Sequence, residues 1–139
     1  QDYISIKIHK ADLALTSSIT AILAPYNIAP EQNLIMMLLW EKDGLSQNYI
    51  VEKLEKDKTN IARMASNLEK KGFISRVNCQ DDRRSVKLYL TSTGRELGEK
   101  VIPLAEKFND IVCDGITQDD LLALDRILTK IKGNVQNSN

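Results

Sequence analysis

The 139-residue sequence has only two cysteines and one histidine, and its net charge is zero. Cys79 and Cys113 are too few for a disulfide framework, and neither has a Cys or His neighbour at metal-ligand spacing. The sequence also lacks a glycine-rich phosphate loop, a nucleophile elbow and a second histidine beside His9. We therefore expect no metal, no cofactor and no enzyme activity.

Long hydrophobic runs are also missing. No apolar stretch approaches the ~20 residues that cross a bilayer, and the first residues lack the basic and then apolar layout of a signal peptide. The expected compartment is the cytoplasm, with no membrane partner. Composition is ordinary for a globular chain, with 42% hydrophobic and 27% charged residues. Such a chain forms one domain with its own core, or a subunit whose remaining apolar surface a partner covers.

The zero net charge hides a local excess of basic residues. From Lys53 to Lys87, ten Lys and Arg residues stand against five Asp and Glu residues, which leaves the rest of the chain acidic. A basic stripe on an acidic body is the electrostatic pattern of a DNA reader. A chance cluster on a solvated face is the alternative, and charge alone does not decide between them.

Hydrophobic periodicity predicts six helices and one β-hairpin in a single domain, 1–139. Apolar residues at steps of three and four mark the helices, and strict alternation marks the second hairpin strand. The helices are expected over 3–24, 30–43, 46–54, 57–71, 92–112 and 117–133, and the strands over 73–77 and 86–90 with a polar turn at 78–85. Helix starts and ends are expected at four N-caps, Ser46, Asp57, Thr91 and Thr117, and at three glycines, Gly44, Gly72 and Gly133.

Two helices joined by a tight turn and followed at once by a hairpin are typical of a winged helix-turn-helix, here expected over 30–90. Its second helix, from Asp57 to Lys71, is about 22 Å long at 1.5 Å per residue and fits across a major groove. The stripe formed by Ile61, Ala65 and Leu68 should pack inward. The predicted fold class is mainly α (α+β), with the winged helix flanked by N- and C-terminal helices.

The outward face of this helix carries side chains suited to base edges. Arg63 can donate two hydrogen bonds to a guanine, Asn60 can read an adenine, and the Thr59 methyl group can contact a thymine. Further contacts, mostly to the DNA backbone, are expected from Ser46, Gln47, Lys58, Asn67 and Lys70. An ordinary solvated helix face is the alternative.

The predicted hairpin tip, Asp81-Asp82-Arg83-Arg84, places two guanidinium groups where glycine and small polar residues are usual. A wing beside a recognition helix directs such a tip at the neighbouring minor groove, whose negative potential favours an arginine. Asp82 can hold Arg84 extended through a charge-assisted hydrogen bond. A surface ion-pair cluster is the alternative.

Residues 45–97 resemble the central part of the MarR family, the multiple-antibiotic-resistance type repressors. The matching features are the Leu68-Glu69-Lys70-Lys71-Gly72 helix end, Arg76 in the first strand, the Asp82-Arg83-Arg84-Ser85 wing, and Leu90-Thr91-x-x-Gly94 at the start of the long helix. The resemblance implies a homodimer built from the helices in 3–26 and 92–133, which binds a pseudo-palindromic operator. It also implies Arg76 as a DNA contact, Arg84 as the minor-groove residue and Asp82 as its partner. Cys79-Gln80 replaces the Asp-Pro pair common before this wing, which favours a more flexible loop.

Apolar stripes in 3–24, 97–111 and 121–131 exceed what the winged domain needs. A symmetric dimer is expected to bury the excess, and a larger monomer core is the alternative. The family resemblance also favours a small aromatic effector. Its pocket residues would be Tyr26, Met36, Met37 and Trp40, although such residues at helical spacing are more often core. Neither cysteine has an evident resolving partner for redox sensing.

The function that the sequence predicts is sequence-specific binding of double-stranded DNA by a homodimeric, ligand-responsive repressor. The alternative is a winged-helix protein-interaction module without DNA binding, because the fold alone does not fix the function. An interaction face should be apolar where Asn60, Arg63 and Arg84 make this one polar and basic.

Overall fold

The structure, a computed structural model, describes residues 2–79 and 82–138, and the side chains of 2–78 and 85–138. It divides into two compact units, Gln1–Ala105 and Glu106–Asn139. Among the described residues, no helix combines the length and the apolar character needed to span a bilayer. The elements are α1 (Ile4–Leu23), α2 (Pro30–Glu41), β1 (Leu45–Ser46), α3 (Gln47–Leu54), α4 (Lys58–Lys70), β2 (Ile74–Cys79), β3 (Asp82–Leu90), α5 (Ser92–Val112) and α6 (Gln118–Asn137), with a 3₁₀ turn at Ala24–Tyr26. The predicted mainly α (α+β) winged-helix fold is confirmed.

A three-stranded antiparallel sheet forms the wing, in the order β1-β3-β2. Leu45 of β1 lies opposite Leu88, and Ile74 of β2 lies opposite Leu90. The predicted buried face of β3 is confirmed, because Leu88 is fully buried while Val86 and Leu90 pack partly buried against the core. The sequence predicts only two strands. With two residues, β1 is too short to show an alternating pattern.

The hairpin strands are longer than the sequence predicts. Polar residues over 78–85 predict a turn, but β2 continues to Cys79 and β3 begins at Asp82, opposite Cys79. The register shifts between Asn78 and Cys79. Backbone pairing does not require apolar side chains, so a strand that continues in polar residues gives no alternation by which to recognise it.

The predicted N-caps set the helix starts. Ser46, Asp57, Thr91 and Thr117 each accept, through a side-chain oxygen, a hydrogen bond from the backbone N–H three residues later, at 2.7–3.1 Å. Each bond satisfies a donor that the first turn of a helix leaves unpaired. Gly72, with φ at 85°, follows the end of α4 as predicted.

Two helix ends differ from the prediction. α2 ends at Glu41, and Gly44 adopts its left-handed conformation, with φ at 74°, in the turn before β1. α6 continues through Gly133 to Asn137, whereas the sequence predicts that it ends at Gly133. A single glycine costs a helix interior only about 1 kcal/mol, so it does not have to end the helix.

Helix α2 is buried on one side only, although apolar residues occur nearly all round it. Ile35, Met36 and Leu39 are buried, whereas Leu34 and Met37 are 41% and 44% exposed. Successive side chains on a helix are about 100° apart, so a core that covers one side leaves the apolar residues on the other side exposed. The rest of the core is formed by Leu23, Ile28, Ile50, Ile61, Met64, Ala65, Leu68, Phe73, Ile74, Leu88, Leu97 and Val101.

Trp40 fixes the C-terminal end of α2 against the first turns of α5. Its indole Nε1 donates a hydrogen bond to the carbonyl oxygen of Gly94 at 2.9 Å. A Cβ atom on Gly98, one turn further along α5, would lie 2.7 Å from the same nitrogen. Gly98 therefore leaves the space on α5 that the indole ring occupies.

Candidate nucleic-acid interface

Helices α3 and α4 form the predicted helix-turn-helix. Glu55 turns the chain between them in a left-handed conformation, with φ at 53°. Ile61, Met64, Ala65 and Leu68 bury one face of α4, as the apolar stripe predicts. The opposite face carries Lys58, Thr59, Arg63 and Lys70, which are exposed, and Asn60, Ser66 and Asn67, which are partly exposed. The structure thus brings the predicted α4 contacts together on one face.

Three side chains on this face are linked by hydrogen bonds. Asp57 Oδ1 accepts from the backbone N–H of Asn60 at 2.7 Å, and Asp57 Oδ2 accepts from Asn60 Nδ2 at 3.4 Å. The guanidinium of Arg63 donates to Asn60 Oδ1. The sequence predicts Asp57 as a cap only. The two side-chain bonds, from Asn60 to Asp57 and from Arg63 to Asn60, could have been found from the spacing of three residues, because side chains three apart are neighbours on a helix.

Ser46 and Gln47, the two predicted DNA contacts at the start of α3, differ in which of their side-chain groups are available to DNA. The Ser46 hydroxyl accepts from Tyr49 N at 3.1 Å as a cap, and its own proton stays available. Gln47 is only partly exposed, and its Oε1 is buried with no hydrogen-bond partner. Its side-chain oxygen is therefore not free to meet DNA, and a contact from its N–H groups to the DNA backbone stays a prediction.

Arg76, predicted as a DNA contact, is engaged within the fold. Its Nε and Nη2 donate to Glu69 Oε1 at 3.2 and 3.1 Å, and its backbone N–H donates to Glu69 Oε2 at 3.0 Å. These bonds, led by the one from the backbone N–H of Arg76, hold the pKa of Glu69 below its usual value. These bonds between Glu69 and Arg76, called the Arg76 clamp below, tie the last turn of α4 to β2. They leave Arg76 on the surface but with its charge balanced.

Replacing Glu69 by Gln is expected to lower the free energy of unfolding by about 0.2–1 kcal/mol at neutral pH, the range for exposed ion pairs. A carboxyl whose pKa is depressed on folding stabilises the fold above its unfolded pKa, and this contribution is lost as pH falls through the folded pKa. The difference between wild type and Glu69→Gln should therefore shrink on acidification. Urea unfolding at neutral and acidic pH measures it, with Glu96→Gln, an exposed carboxylate on α5, as control. A difference that is constant with pH contradicts the role of the clamp.

Two further contacts position α4. Lys71 Nζ donates to the carbonyl oxygen of Asn27 and to Gln32 Oε1, both at 2.8 Å, which ties the end of α4 to the start of α2. Lys56 forms an ion pair with Glu31 at 3.2 Å. Part of the basic stripe is therefore used inside the fold, and Lys58, Arg63 and Lys70 supply the positive charge of the exposed α4 face.

The wing predictions concern side chains outside the described residues. The backbone of Asp82, Arg83 and Arg84 lies in β3, which corrects their predicted place in a turn. The proposed Asp82 to Arg84 hydrogen bond and the minor-groove role of Arg84 remain predictions. The side chain of Cys79 also lies outside the described residues.

In the described part of the chain, the four predicted effector residues lie in different surroundings, and their role in a ligand pocket stays a prediction. Of the four, Trp40 lines an open groove of about 500 Å³. Met36 is fully buried, Met37 lies on the exposed side of α2, and Tyr26 packs against the core. Met36 and Met37 are adjacent and therefore about 100° apart on the helix, and they lie on different sides of it, Met36 in the core and Met37 outside the core.

The groove beside Trp40 is lined mainly by residues that the sequence does not single out. The groove is lined by Asp43 and Arg95, whose Oδ2 and Nη2 atoms are 3.4 Å apart, and by the apolar side chains of Ile102 and Pro103. Asp43 Oδ1 also accepts from Leu90 N at 2.8 Å. Only long-range packing brings these residues together, so spacing along the chain gives no signal for them.

The remaining cysteine offers little chemistry by itself. The partly buried Cys113 thiol lies 3.9 Å from Asn109 Oδ1. In the part of the chain that the structure describes, no three His, Cys, Asp or Glu residues are grouped to hold a metal ion.

Comparison with known proteins identifies the winged segment. Residues 28–86 match the model of the MarR family. The transcriptional regulator TtmR of Methylorubrum extorquens is 29% identical over 117 residues, 84% of this chain and 59% of its own length. The organic hydroperoxide resistance transcriptional regulator of Bacillus subtilis is 32% identical over 90 residues, 65% of this chain and 61% of its own. The chain thus spans about three fifths of the length of these relatives.

Solved structures share the fold over nearly the whole chain. A Listeria monocytogenes protein described as a MarR-family transcriptional regulator, in complex with a 26-mer DNA, superposes with a TM-score of 0.83 at 26% identity, over 99% of this chain and 91% of its own. The MepR–DNA complex of S. aureus superposes with a TM-score of 0.87 at 21% identity, over 96% of this chain and 99% of its own. The winged-helix segment, residues 28–86, therefore matches the MarR family, and nearly the whole chain shares its fold with a solved regulator of that family.

Proposed function

We propose that this chain is a transcriptional regulator that binds double-stranded DNA in a sequence-specific way, as a homodimeric, ligand-responsive repressor on a pseudo-palindromic operator. One observation carries the proposal. α4 buries its apolar face and presents polar and basic side chains outward, directly before the strands of a wing. This is the arrangement by which a recognition helix enters a major groove. The relatives named as transcriptional regulators and the DNA complex of the Listeria protein support it.

The chemistry of the α4 face favours DNA over a protein partner. Among the described residues, none of the exposed large apolar side chains lies on α4. A protein-binding face usually has an apolar core and few charged residues at its centre. The exposed cations Lys58 and Lys70 stand near the two ends of α4, where phosphates flank a groove, with Arg63 between them.

The homodimer is supported by apolar faces that the single chain leaves uncovered. In the unit Glu106–Asn139, α6 has no buried residue, and Leu124, Ile127 and Leu128, on one side of the helix, are 50%, 45% and 38% exposed. In the unit Gln1–Ala105, Leu23 is the only buried residue of α1, and Ile4 is 57% exposed. Apolar surface of this extent marks an interaction site, and a second copy offers the matching surface.

The groove beside Trp40 supports the ligand response. An indole ring and the apolar Ile102 and Pro103 suit an aromatic ring. Arg95 pairs with Asp43 in a groove that Glu99 also lines, and its remaining N–H donors suit a carboxylate. A small aromatic acid is therefore the proposed class of effector. A Bordetella bronchiseptica protein of the same fold, BpsR, whose DNA binding is described as regulated by 6-hydroxynicotinic acid, is consistent with this class at 18% identity.

DNA binding is tested by enriching a random duplex library with the purified dimer and titrating the enriched sequence by fluorescence anisotropy. Arg63→Ala is expected to reduce the preference at one base pair by about 5- to 150-fold, the value of a bidentate base contact at about 1–3 kcal/mol. Lys58→Ala should instead weaken binding to all sequences alike and reduce the salt slope by about one. If the wild type enriches no sequence and shows no salt-sensitive specific binding, the proposed function is wrong.

A further inference from the structure

We infer that Asn60 is a positioning residue, which aims the Arg63 guanidinium at its base pair and does not read a base of its own. The inference rests on the proposed function and departs from the sequence prediction that Asn60 reads adenine. It starts from the Asp57–Asn60–Arg63 chain of hydrogen bonds, in which each member is one helical turn from the next.

The orientation of the Asn60 amide is fixed by Asp57. An ionised carboxylate only accepts hydrogen bonds, so it selects the amide NH₂ group, and Nδ2 of Asn60 lies 3.4 Å from Asp57 Oδ2. The same carboxylate holds the Asn60 backbone through the cap bond at 2.7 Å. With its NH₂ group on that side, Asn60 presents Oδ1 to the next turn of the helix. Arg63 donates to this oxygen.

The bonding capacity of each side chain decides their roles. Reading an adenine takes both the amide oxygen and the NH₂ group of an asparagine at once. In Asn60 one N–H of the NH₂ group is engaged with Asp57 and one lone pair of Oδ1 with Arg63, and these two bonds direct the amide toward its helix neighbours and away from a base pair. A guanidinium has five N–H donors, so Arg63 keeps enough of them for a bidentate bond to guanine after one is used.

The exposure of the two side chains agrees with these roles, in which Arg63 reads the base and Asn60 positions Arg63. Arg63 is exposed, whereas Asn60 is only partly exposed. A free arginine side chain loses rotamer entropy on binding, and a side chain that is already held in place loses less. Asn60 thus acts on affinity and base preference through Arg63.

The experiment compares base-preference profiles of wild type, Asn60→Ala, Arg63→Ala and the double variant on a library that covers every single-base change of the enriched operator. Asn60→Ala is expected to lower the preference about 2- to 100-fold at the base pair that Arg63→Ala affects, and at no other. The double variant should match Arg63→Ala. A loss of helix stability changes affinity for all sequences alike, so it does not produce this pattern.

Two substitutions of Asp57 separate positioning from capping. Asn and Ser are as good N-caps as Asp, so Asp57→Asn and Asp57→Ser keep the bond to the Asn60 backbone. Asp57→Asn places an NH₂ group beside Asn60, which attracts its Oδ1 away from Arg63, and Asp57→Ser removes the second acceptor. Both variants are expected to lower the preference at the Arg63 base pair while far-UV circular dichroism stays unchanged.

The outcomes distinguish this inference from the proposed function. A wild type without any base preference overturns both. A wild type with base preference, together with an Asn60→Ala profile that is altered at a different base pair or unaltered everywhere, overturns the positioning role alone. Coincidence of the Asn60→Ala and Arg63→Ala profiles, with the same base pair affected in the Asp57 variants, confirms it.

Discussion

Replacing Gly94 by alanine is expected to lower the free energy of unfolding by about 3 kcal/mol, although it adds only one methyl group. A Cβ atom at this position would lie 2.1 Å from the carbonyl oxygen of Phe73 and 3.4 Å from its Cα. These are backbone atoms, so no side-chain rotation relieves the overlap. The N-terminal end of α5 would have to move away from the start of β2.

Such a movement breaks the contacts that join α5 to the winged helix. Thr91 N donates to the same Phe73 oxygen at 3.1 Å, and the Thr91 hydroxyl donates to the carbonyl oxygen of Gly72 at 2.5 Å. The Trp40 indole bond to the Gly94 carbonyl oxygen also lengthens. Gly98→Ala should destabilise less, because its neighbour is the Trp40 ring, a side chain that can shift.

Urea unfolding monitored by circular dichroism, at one fixed protein concentration, measures this effect. Gly133→Ala is the matched control, since it lies within α6 and a Cβ there has no neighbour within 4 Å. That substitution should stabilise by up to about 1 kcal/mol through helix propensity. A Gly94→Ala variant that unfolds at the wild-type midpoint would show that α5 does not approach β2 so closely.

Local rules explain why much of the fold is predictable from the sequence. The four N-caps act within one turn, so Ser46 and Asp57 mark α3 and α4 without knowledge of the remaining chain. The inward stripe of α4 follows from helical periodicity for the same reason. Periodicity also predicts the hairpin and the apolar stripes that favour a dimer, and the MarR resemblance added the implied roles of Arg76, Asp82 and Arg84.

Features that depend on contacts distant in sequence were missed or misplaced. Trp40 and Gly94 are 54 residues apart, so their bond, and the groove beside it, has no sequence signature. The Arg76 clamp depends on how β2 returns past the end of α4. Asn60 shows the same limit within one helix. Spacing predicts that its side chain contacts Asp57 and Arg63, but only the structure shows which amide atom faces which neighbour.

Introducing a charge into the apolar face of α6, by Leu124→Glu, is expected to convert the dimer to monomers and to weaken operator binding by about 100-fold or more. Leu124 is 50% exposed in the single chain, so the fold does not need it buried, whereas a dimer that covers it would have to desolvate the carboxylate. A dimer joins two half-site contacts into one binding event, and a linked second contact raises affinity by about 10²–10⁴.

Sedimentation at micromolar concentration and anisotropy titration on the enriched operator measure the two effects in one preparation. Arg126→Glu is the control, because it introduces the same side chain two positions away, on the side of α6 opposite to the Leu124 and Leu128 stripe. Arg126→Glu should remain dimeric, while Leu124→Glu should sediment near the 15.7 kDa of one chain with its helix content kept. If Leu124→Glu stays dimeric, the α6 stripe is not the interface. If it is monomeric and still binds the operator at wild-type affinity, the two half-sites are read independently.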